Sequence, residues 1–336
     1  MPVVDVTTSV VISFGARVGL GRCAPSLTLL MAVSFQDHNI PLSATGFFMS
    51  DHLGLSQYLR RALKLQTAEQ PSGSAENGWL VRGLEAMRTL DYQQALQCFD
   101  KALQAYPESH AVWYSRGMAL YHLGYDEEAL QAFTQAGHHQ PQSHLSWYGR
   151  GVILAELGRG DEALEAFDRA ISLRPESYLA WLAKGMTLVE RQRWEEALAV
   201  LHAALERHPR AAQAWYGVGV TLLQTGYSTR ALAAFERSRC LQTDFDLAWY
   251  GKGLALLQAN RLQEALEALD GAIAVNPQCI LAWFGKAEAL EGLGYLDAAQ
   301  AAYEHVTQKN GDIGPIRARA ERQLQLLRQK ASSTDM

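Results

Sequence analysis

The sequence predicts an all-α protein whose helical hairpins stack in tandem into an α-solenoid. Two observations carry this prediction: a tryptophan recurs every 34 residues, and small and large apolar residues stand at fixed offsets from it. The tryptophans are Trp79, Trp113, Trp147, Trp181, Trp215, Trp249 and Trp283. A fixed period of this length is the signature of a stacked repeat architecture.

The first helix of each predicted hairpin carries the tryptophan. Four residues beyond it stands a small residue, at Gly83, Gly117, Gly151, Gly185, Gly219, Gly253 and Ala287. Residues four apart share a helix face. We therefore expect these small residues to let another helix come close, although glycine inside a helix costs about 1 kcal/mol. A residue that tolerates a positive φ follows most of these helices, at Gly124, Gly158, Gly226, Asn260 and Gly294.

The second helix is recognised by an alanine sixteen residues after each tryptophan and a large apolar residue twenty after it. The large residues are Phe99, Phe133, Phe167, Leu201, Phe235, Leu269 and Tyr303. Proline follows five of the second helices and stops them, because proline cannot continue the hydrogen-bonded ladder. The fifth hairpin departs from the pattern, with Ser238 for a small alanine and Thr243 for the proline. Both a bend or slip over residues 238–246 and a simple loop variation fit this departure.

These residues resemble the tetratricopeptide repeat, in which Trp, Leu-Gly, Tyr, Ala, Phe and Pro hold the same offsets. The resemblance covers about residues 76–313, with repeats that start near 76, 110, 144, 178, 212, 246 and 280. It implies a right-handed superhelix in which the first helices line a concave groove that holds ligands.

The sequence departs from the family at the leucine before the glycine, which is basic in six of the seven repeats. The basic residues are Arg82, Arg116, Arg150, Lys184, Lys252 and Lys286. The stems of these side chains can cover apolar surface while the charged heads stay in water. Alternatively, this basic ladder recognises an acidic ligand.

The resemblance also implies which side chains face the groove, namely the residue after each tryptophan and the one four positions further on. Here these residues are apolar or aromatic: Leu80, Tyr114, Met118, Tyr148, Val152, Leu182, Met186, Tyr216, Val220, Tyr250, Leu254 and Phe284. The Lys and Asn with which related repeats grip acidic chaperone tails are absent from these positions. We expect part of each side chain to be buried between adjacent repeats. The remainder predicts a protein partner, either an apolar amphipathic helix or an extended segment, or the chain's own residues 55–66.

The two ends of the chain lack the period. We predict an irregular or disordered segment over residues 1–54, an amphipathic helix over 55–66, a linker over 67–75, and a capping helix with a tail over 314–336. The apolar run over 24–35 resembles a signal peptide, but the stretch before it is too long. A disordered or untranslated start, with Met31 or Met49 as the first residue, is the simpler hypothesis. The basic helix over 55–66 suits either an anionic membrane surface or a cap on the solenoid.

Composition narrows the function. The formal net charge is -5, which argues against nucleic-acid binding, because a nucleic-acid binder needs a basic stripe to neutralise phosphates. The four cysteines, Cys23, Cys98, Cys240 and Cys279, stand far apart and predict free thiols. The histidines at 110, 138, 139 and 144 are a conceivable metal site, but no thiol or carboxylate stands at ligand spacing.

No catalytic constellation is visible in the sequence. The carboxylates that recur at the start of the second helices, such as Asp161 and Glu162, suit the helix dipole rather than acid–base chemistry. The sequence thus predicts a cytoplasmic scaffold or adaptor with no cofactor, no metal and no enzymatic activity. An assembly chaperone for a membrane or multi-subunit complex is the alternative, and export or membrane association through the N-terminal segment is the alternative location. The oligomeric state is not indicated.

Overall fold

A computed structural model describes residues 75–308 and 314–334, and these ranges contain fifteen helices and no strand. The first helices of the hairpins are α1 (Ala75–Arg88), α3 (His110–Leu123), α5 (His144–Glu156), α7 (Tyr178–Glu190), α9 (Ala212–Gln224), α11 (Asp246–Gln258) and α13 (Ile280–Gly292). The second helices are α2 (Tyr92–Ala105), α4 (Asp126–His139), α6 (Gly160–Leu173), α8 (Trp194–Arg207), α10 (Ser228–Leu241), α12 (Leu262–Val275) and α14 (Leu296–Gln308). The last helix is α15 (Gly314–Thr334). The predicted all-α solenoid is confirmed, whereas the predicted segments over 1–54 and 55–66 and residues 67–74 lie outside the described residues.

The helices pack in sequence order, each against the one before it and the one after it. In addition, each first helix from α3 to α11 contacts the first helices of both neighbouring repeats, more extensively than second helices contact one another. In a curved stack, the layer whose members come closest together lies on the inside. The first helices therefore form the inner, concave layer.

A backbone reversal with positive φ separates the two helices of every hairpin. The glycines expected there have φ between 74° and 88°, and Asn260 has a φ of 57°. Leu90 and Gln192 occupy the same position in the first and fourth repeats, with φ of 63° and 58°. Leucine and glutamine do not favour a positive φ, so the sequence did not predict this conformation at either position.

In four repeats the large apolar residue of the second helix, namely Phe133, Leu201, Phe235 or Leu269, is clamped between the first helices of its own and the next repeat. Phe235 is fully buried, and a Cβ built on Gly219 or Gly251 would lie 2.7 Å or 2.4 Å from its ring. Gly219 is the predicted small residue of the same repeat, but Gly251 belongs to the next repeat, two residues after its tryptophan. This position is a second series of small residues that was not predicted from the sequence, and it comprises Ser115, Gly149, Ala183, Gly217, Gly251 and Gly285.

The fifth repeat keeps its register. Helix α11 begins 34 residues after α9, and α10 has the same 14-residue length as α12. The hydroxyl of Ser238 is buried and donates a hydrogen bond of 2.7 Å to the carbonyl of Ala212. The possibility of a bend or slip over 238–246 is thus wrong, because the polar side chain is satisfied in place and the loop alone varies.

Helix α15 covers the end of the stack. Its buried residues Ala320, Leu324 and Leu327 pack with Phe284 and Tyr303 of the seventh repeat. Ion pairs fix the helix further, from Arg319 to Glu288 at 2.8 Å and from Arg328 to Glu304 at 3.2 Å.

Candidate protein-interaction site

The face of each first helix that is turned away from its own second helix is built from four positions. They stand two residues before the tryptophan and two, five and nine residues after it, so they share one helix face. In the third repeat they are Leu145, Gly149, Val152 and Glu156, and in the fourth Leu179, Ala183, Met186 and Glu190. We call these four positions in every repeat the inner stripe. The position two residues after the tryptophan packs against the second helix of the preceding repeat, as Gly149 does against Phe133. Because the first helices form the concave layer, a ligand in the groove would meet the inner stripe at its other positions.

The structure places most of the twelve predicted groove residues out of contact with solvent. Ten are buried, namely Leu80, Tyr114, Val152, Leu182, Met186, Tyr216, Val220, Tyr250, Leu254 and Phe284. Met118 and Tyr148 keep partial exposure. The burial is therefore greater than the sequence suggested, and a binding role for these residues stays a prediction.

The aromatic members of this set contact the second helix of their own repeat. Ring centroids are 5.4 Å apart for Tyr114 and Phe133, 6.2 Å for Tyr148 and Phe167, and 5.6 Å for Phe284 and Tyr303. These distances fall in the range of favourable aromatic pairs. The rings thus help to hold each hairpin closed as well as lining the inner layer.

Burial also sets the protonation state of Tyr216 and Tyr250. Removal from water raises the pKa of Tyr216, and the nearby carboxylate of Asp246 adds to this shift. Burial likewise raises the pKa of Tyr250 well above its ordinary value. Both phenols therefore stay neutral and add no charge to the inner layer.

The ends of the inner stripe are more accessible than its middle. At one end, the position two residues before the tryptophan holds the half-buried leucines Leu145, Leu179, Leu247 and Leu281. At the other end lie the half-buried residues His122, Glu156, Glu190 and Gln224. Neither set is among the predicted groove residues, although helical spacing from those residues would have identified both.

The six residues of the basic ladder contact other side chains of the protein. Four of its members pair with an acid sixteen residues earlier, on the second helix of the preceding repeat: Arg116 with Asp100 at 2.8 Å, Lys184 with Asp168 at 2.5 Å, Lys252 with Glu236 at 3.0 Å and Lys286 with Asp270 at 2.6 Å. The two others, Arg82 and Arg150, lie over the rings of Trp79 and Trp147, at 5.1 Å and 5.4 Å. The structure therefore favours a role in joining repeats over recognition of an acidic ligand.

The repeat tryptophans lie beside this ladder and are half-buried rather than enclosed. The indole N–H of Trp113 donates to the carbonyl of Pro107 at 2.7 Å, and five other repeat tryptophans make the same bond six residues back. In the loop after the fifth second helix the acceptor of the Trp249 bond is the carbonyl of Thr243, which shows that the bond does not require proline. Each tryptophan thus ties its first helix to the loop that precedes it.

The remaining polar candidates do not converge. His110 Nε2 lies 3.0 Å from the Ser146 hydroxyl, and burial together with the nearby His139 lowers the pKa of His110. Among the described residues, no three His, Cys, Asp or Glu side chains are placed to hold a metal ion.

Three of the four cysteines lie in the described part of the chain, and all three are free thiols. Cys98 and Cys279 are buried and Cys240 is exposed, while Cys23 lies outside the described residues. Burial raises the pKa of the Cys279 thiol to about 11. Of the helices within 75–308 and 314–334, none combines the length and the apolar character needed to cross a bilayer.

A family model described as tetratricopeptide repeat matches residues 80–137, 127–178, 182–244 and 247–313, which together make up about two thirds of the chain. The sequence matches none of the curated proteins compared with it.

Several solved structures share the fold. A tetratricopeptide repeat protein from Parabacteroides merdae aligns over 76% of this chain and 99% of its own, with 14% identity and a TM-score of 0.62. PilW, a type IV pilus biogenesis factor, aligns over 63% of this chain and 98% of its own, with 22% identity and a TM-score of 0.58. A chain of the Cut9–Hcn1 assembly of the APC/C aligns over 79% of this chain and 52% of its own, with 16% identity and a TM-score of 0.64. At these identities the likeness concerns the fold alone.

Proposed function

The chain belongs to the tetratricopeptide-repeat family, and on that premise we propose that it is a scaffold or adaptor that binds an apolar peptide or amphipathic helix along its inner stripe. The observation that supports this proposal is the row of half-buried leucines, such as Leu145, Leu179 and Leu247, at the accessible end of the concave layer. Beside this row, Met118 and Tyr148 are the predicted groove residues that keep partial exposure. We propose no catalytic step for this protein, and we propose that it is located in the cytoplasm.

The dimensions of the groove indicate the length of the ligand. Packed helices lie about 8–10 Å apart, so three adjacent first helices span roughly 20–30 Å. An extended segment rises about 3.3 Å per residue and an α-helix 1.5 Å. A partner would therefore cover three repeats with about six to nine extended residues, or with a helix of about 14–20 residues. An amphipathic helix of this size would present its apolar residues at three- and four-residue spacing to the leucine row.

A pair of substitutions at accessible positions tests the proposal. Met118→Glu with Tyr148→Glu places two charges in the groove, and both side chains have room to turn toward water because they are only half-buried. Tyr216 is unsuitable for this purpose, since it is 1% exposed and a charge there would unfold the repeat. The matched control, Gln131→Glu with Ala199→Glu, adds the same charge at exposed positions of second helices.

The measurement is capture of native partners by the tagged full chain, with helical circular dichroism as the check on folding. We expect the groove variant to lose partners that the wild type and the control variant both retain. A stable stoichiometric complex would identify a scaffold, and a changing set of unassembled subunits would identify the assembly chaperone. Retention of every partner by a folded groove variant would refute binding along the inner stripe.

A further inference from the structure

We propose that residues 55–66 of the same chain dock on the inner stripe of the third and fourth repeats, as a built-in competitor for the groove. This inference rests on the proposed function, because it uses the same concave surface. It adds a named occupant and a charge pattern that recognises it. A partner in the groove would then have to displace this segment.

The receiving surface is negatively charged at one end. Glu156 and Glu190 occupy the last position of the inner stripe in adjacent repeats and are half-buried. Within the described helices α3 to α13, the lysines and arginines of the first helices all stand three residues beyond a tryptophan, outside the stripe. A concave surface lined by one sign of charge concentrates its field and attracts the opposite sign.

The proposed occupant carries the complementary charge. Residues 55–66 contain Arg60, Arg61 and Lys64 and no acidic residue. The sequence predicts an amphipathic helix in which Leu55, Tyr58, Leu59, Ala62 and Leu63 share one face. An apolar face of this kind suits the leucine row of the stripe, while the cations suit its acidic end.

The connection between the two is long enough. Eight residues, 67–74, separate the segment from α1. Fully extended, they span up to about 28 Å at 3.3–3.6 Å per residue. The first helix of the third repeat lies about 20 Å from α1, at about 10 Å per repeat, which is within this reach. The segment itself, about 18 Å long as a 12-residue helix, then extends from the third repeat to the fourth. Tethering over such a short distance raises the effective concentration of the segment to about the millimolar range, so that weak docking suffices.

Lys64 offers a direct test, because it is the first lysine of the chain and the next is Lys101. A water-soluble carbodiimide joins a lysine amine to a carboxylate only when the two are in contact, and the reagent takes up the released water as a urea. In the full-length protein we expect an amide between Lys64 and Glu156 or Glu190, found within monomers by peptide mass mapping. Arg60→Glu with Arg61→Glu should reduce this product severalfold, whereas the control Arg17→Glu with Arg22→Glu should leave it unchanged.

Other outcomes overturn the inference. Coupling of Lys64 to Glu156 or Glu190 of a second chain, recognised by doubled mass, would make the occupant another copy of the protein. Absence of the product, or coupling spread over unrelated carboxylates, would show that the segment does not dock there.

The same variants separate this inference from the proposed function. If Lys64 fails to couple while Met118→Glu with Tyr148→Glu still abolishes partner capture, the groove binds partners and only the docking of 55–66 is wrong. If docking is correct, Arg60→Glu with Arg61→Glu should also raise partner capture severalfold.

Discussion

Replacing Gly251 by alanine should destabilise the protein, because the added methyl group collides with a ring that has no room to move. Its Cβ would lie 2.4 Å from Cε1 of Phe235, which is fully buried. A Cβ at Gly219 would lie 2.7 Å from the same ring, so first helices of two repeats are in close contact with it. Overpacking of this kind costs about 1–3 kcal/mol. The higher helix propensity of alanine offsets about 1 kcal/mol of this cost, which leaves a net loss of up to about 2 kcal/mol.

Two further variants isolate the steric cause. Gly137→Ala makes the same chemical change inside α4, where the nearest neighbour of the new Cβ is Ser146 Cβ at 3.7 Å. It should stabilise the protein by about 0.5–1 kcal/mol. Phe235→Leu in the Gly251→Ala background should recover part of the loss, because Leu201 occupies the equivalent position in the fourth repeat. The coupling between the two substitutions is the quantity to compare.

The assay is equilibrium urea unfolding of each variant, followed by far-ultraviolet circular dichroism and tryptophan fluorescence. Repeat proteins are held by nearest-neighbour contacts and can unfold in more than one step, so the two signals are analysed separately. If Gly251→Ala proves as stable as Gly137→Ala, the clamp around Phe235 does not exist as described. Equal losses for Gly251→Ala with and without Phe235→Leu would also contradict the steric account.

Three other predictions follow from single sites. Gln192→Gly should raise the melting temperature, with a gain of up to about 1 kcal/mol, because Gln192 has a φ of 58°; an unchanged or lower value would show that its backbone is unstrained. The hydrogen bond from Arg239, together with the neighbouring lysine, lowers the pKa of Glu236 from 4.5 to about 2, so the ion pair stabilises the fold above pH 4.5 and is lost as the pH falls toward 2. Glu236→Gln should therefore make the melting temperature fall less steeply over that pH range. The difference corresponds to less than about 1 kcal/mol in the free energy of unfolding, because the Glu236 side chain is 40% exposed, and a curve parallel to that of the wild type would contradict this prediction. Finally, mass mapping after brief alkylation should find Cys240 modified well before Cys279, whose thiol is buried with a pKa of about 11, and equal rates would contradict the burial.

The sequence alone determined the hairpin architecture of this protein. The tryptophan period, the alanine and the large apolar residue of each second helix, and a turn residue such as Gly124 are signals that act within one repeat. Local signals of this kind depend only on helix periodicity and backbone preference, which are visible in a single stretch of chain. Seven repetitions removed the ambiguity that one such stretch would leave.

The sequence located the candidate site only to the layer formed by the first helices, without showing which side chains are accessible there. Helical spacing placed Tyr148 and Val152 on the first helix, and the family resemblance implied that this helix lines the groove. Their accessibility did not follow, because spacing gives the face of a helix but not the depth of its neighbours. The structure left Tyr148 partly exposed and buried Val152, and it identified Leu145 and Glu156 as the accessible ends of the same stripe.

Only the tertiary structure decided the contacts between repeats. It showed that the cation of Lys184 meets Asp168 of the preceding second helix, and that Gly251 is small because Phe235 of the repeat before it needs the space. It also showed that Gln192 adopts a positive φ without any chemical preference for one. The first two depend on how one hairpin stacks on the next, and that rotation is set jointly by many side chains from different repeats. The third depends on how the two helices of one hairpin close on each other, which the residue type at position 192 does not reveal.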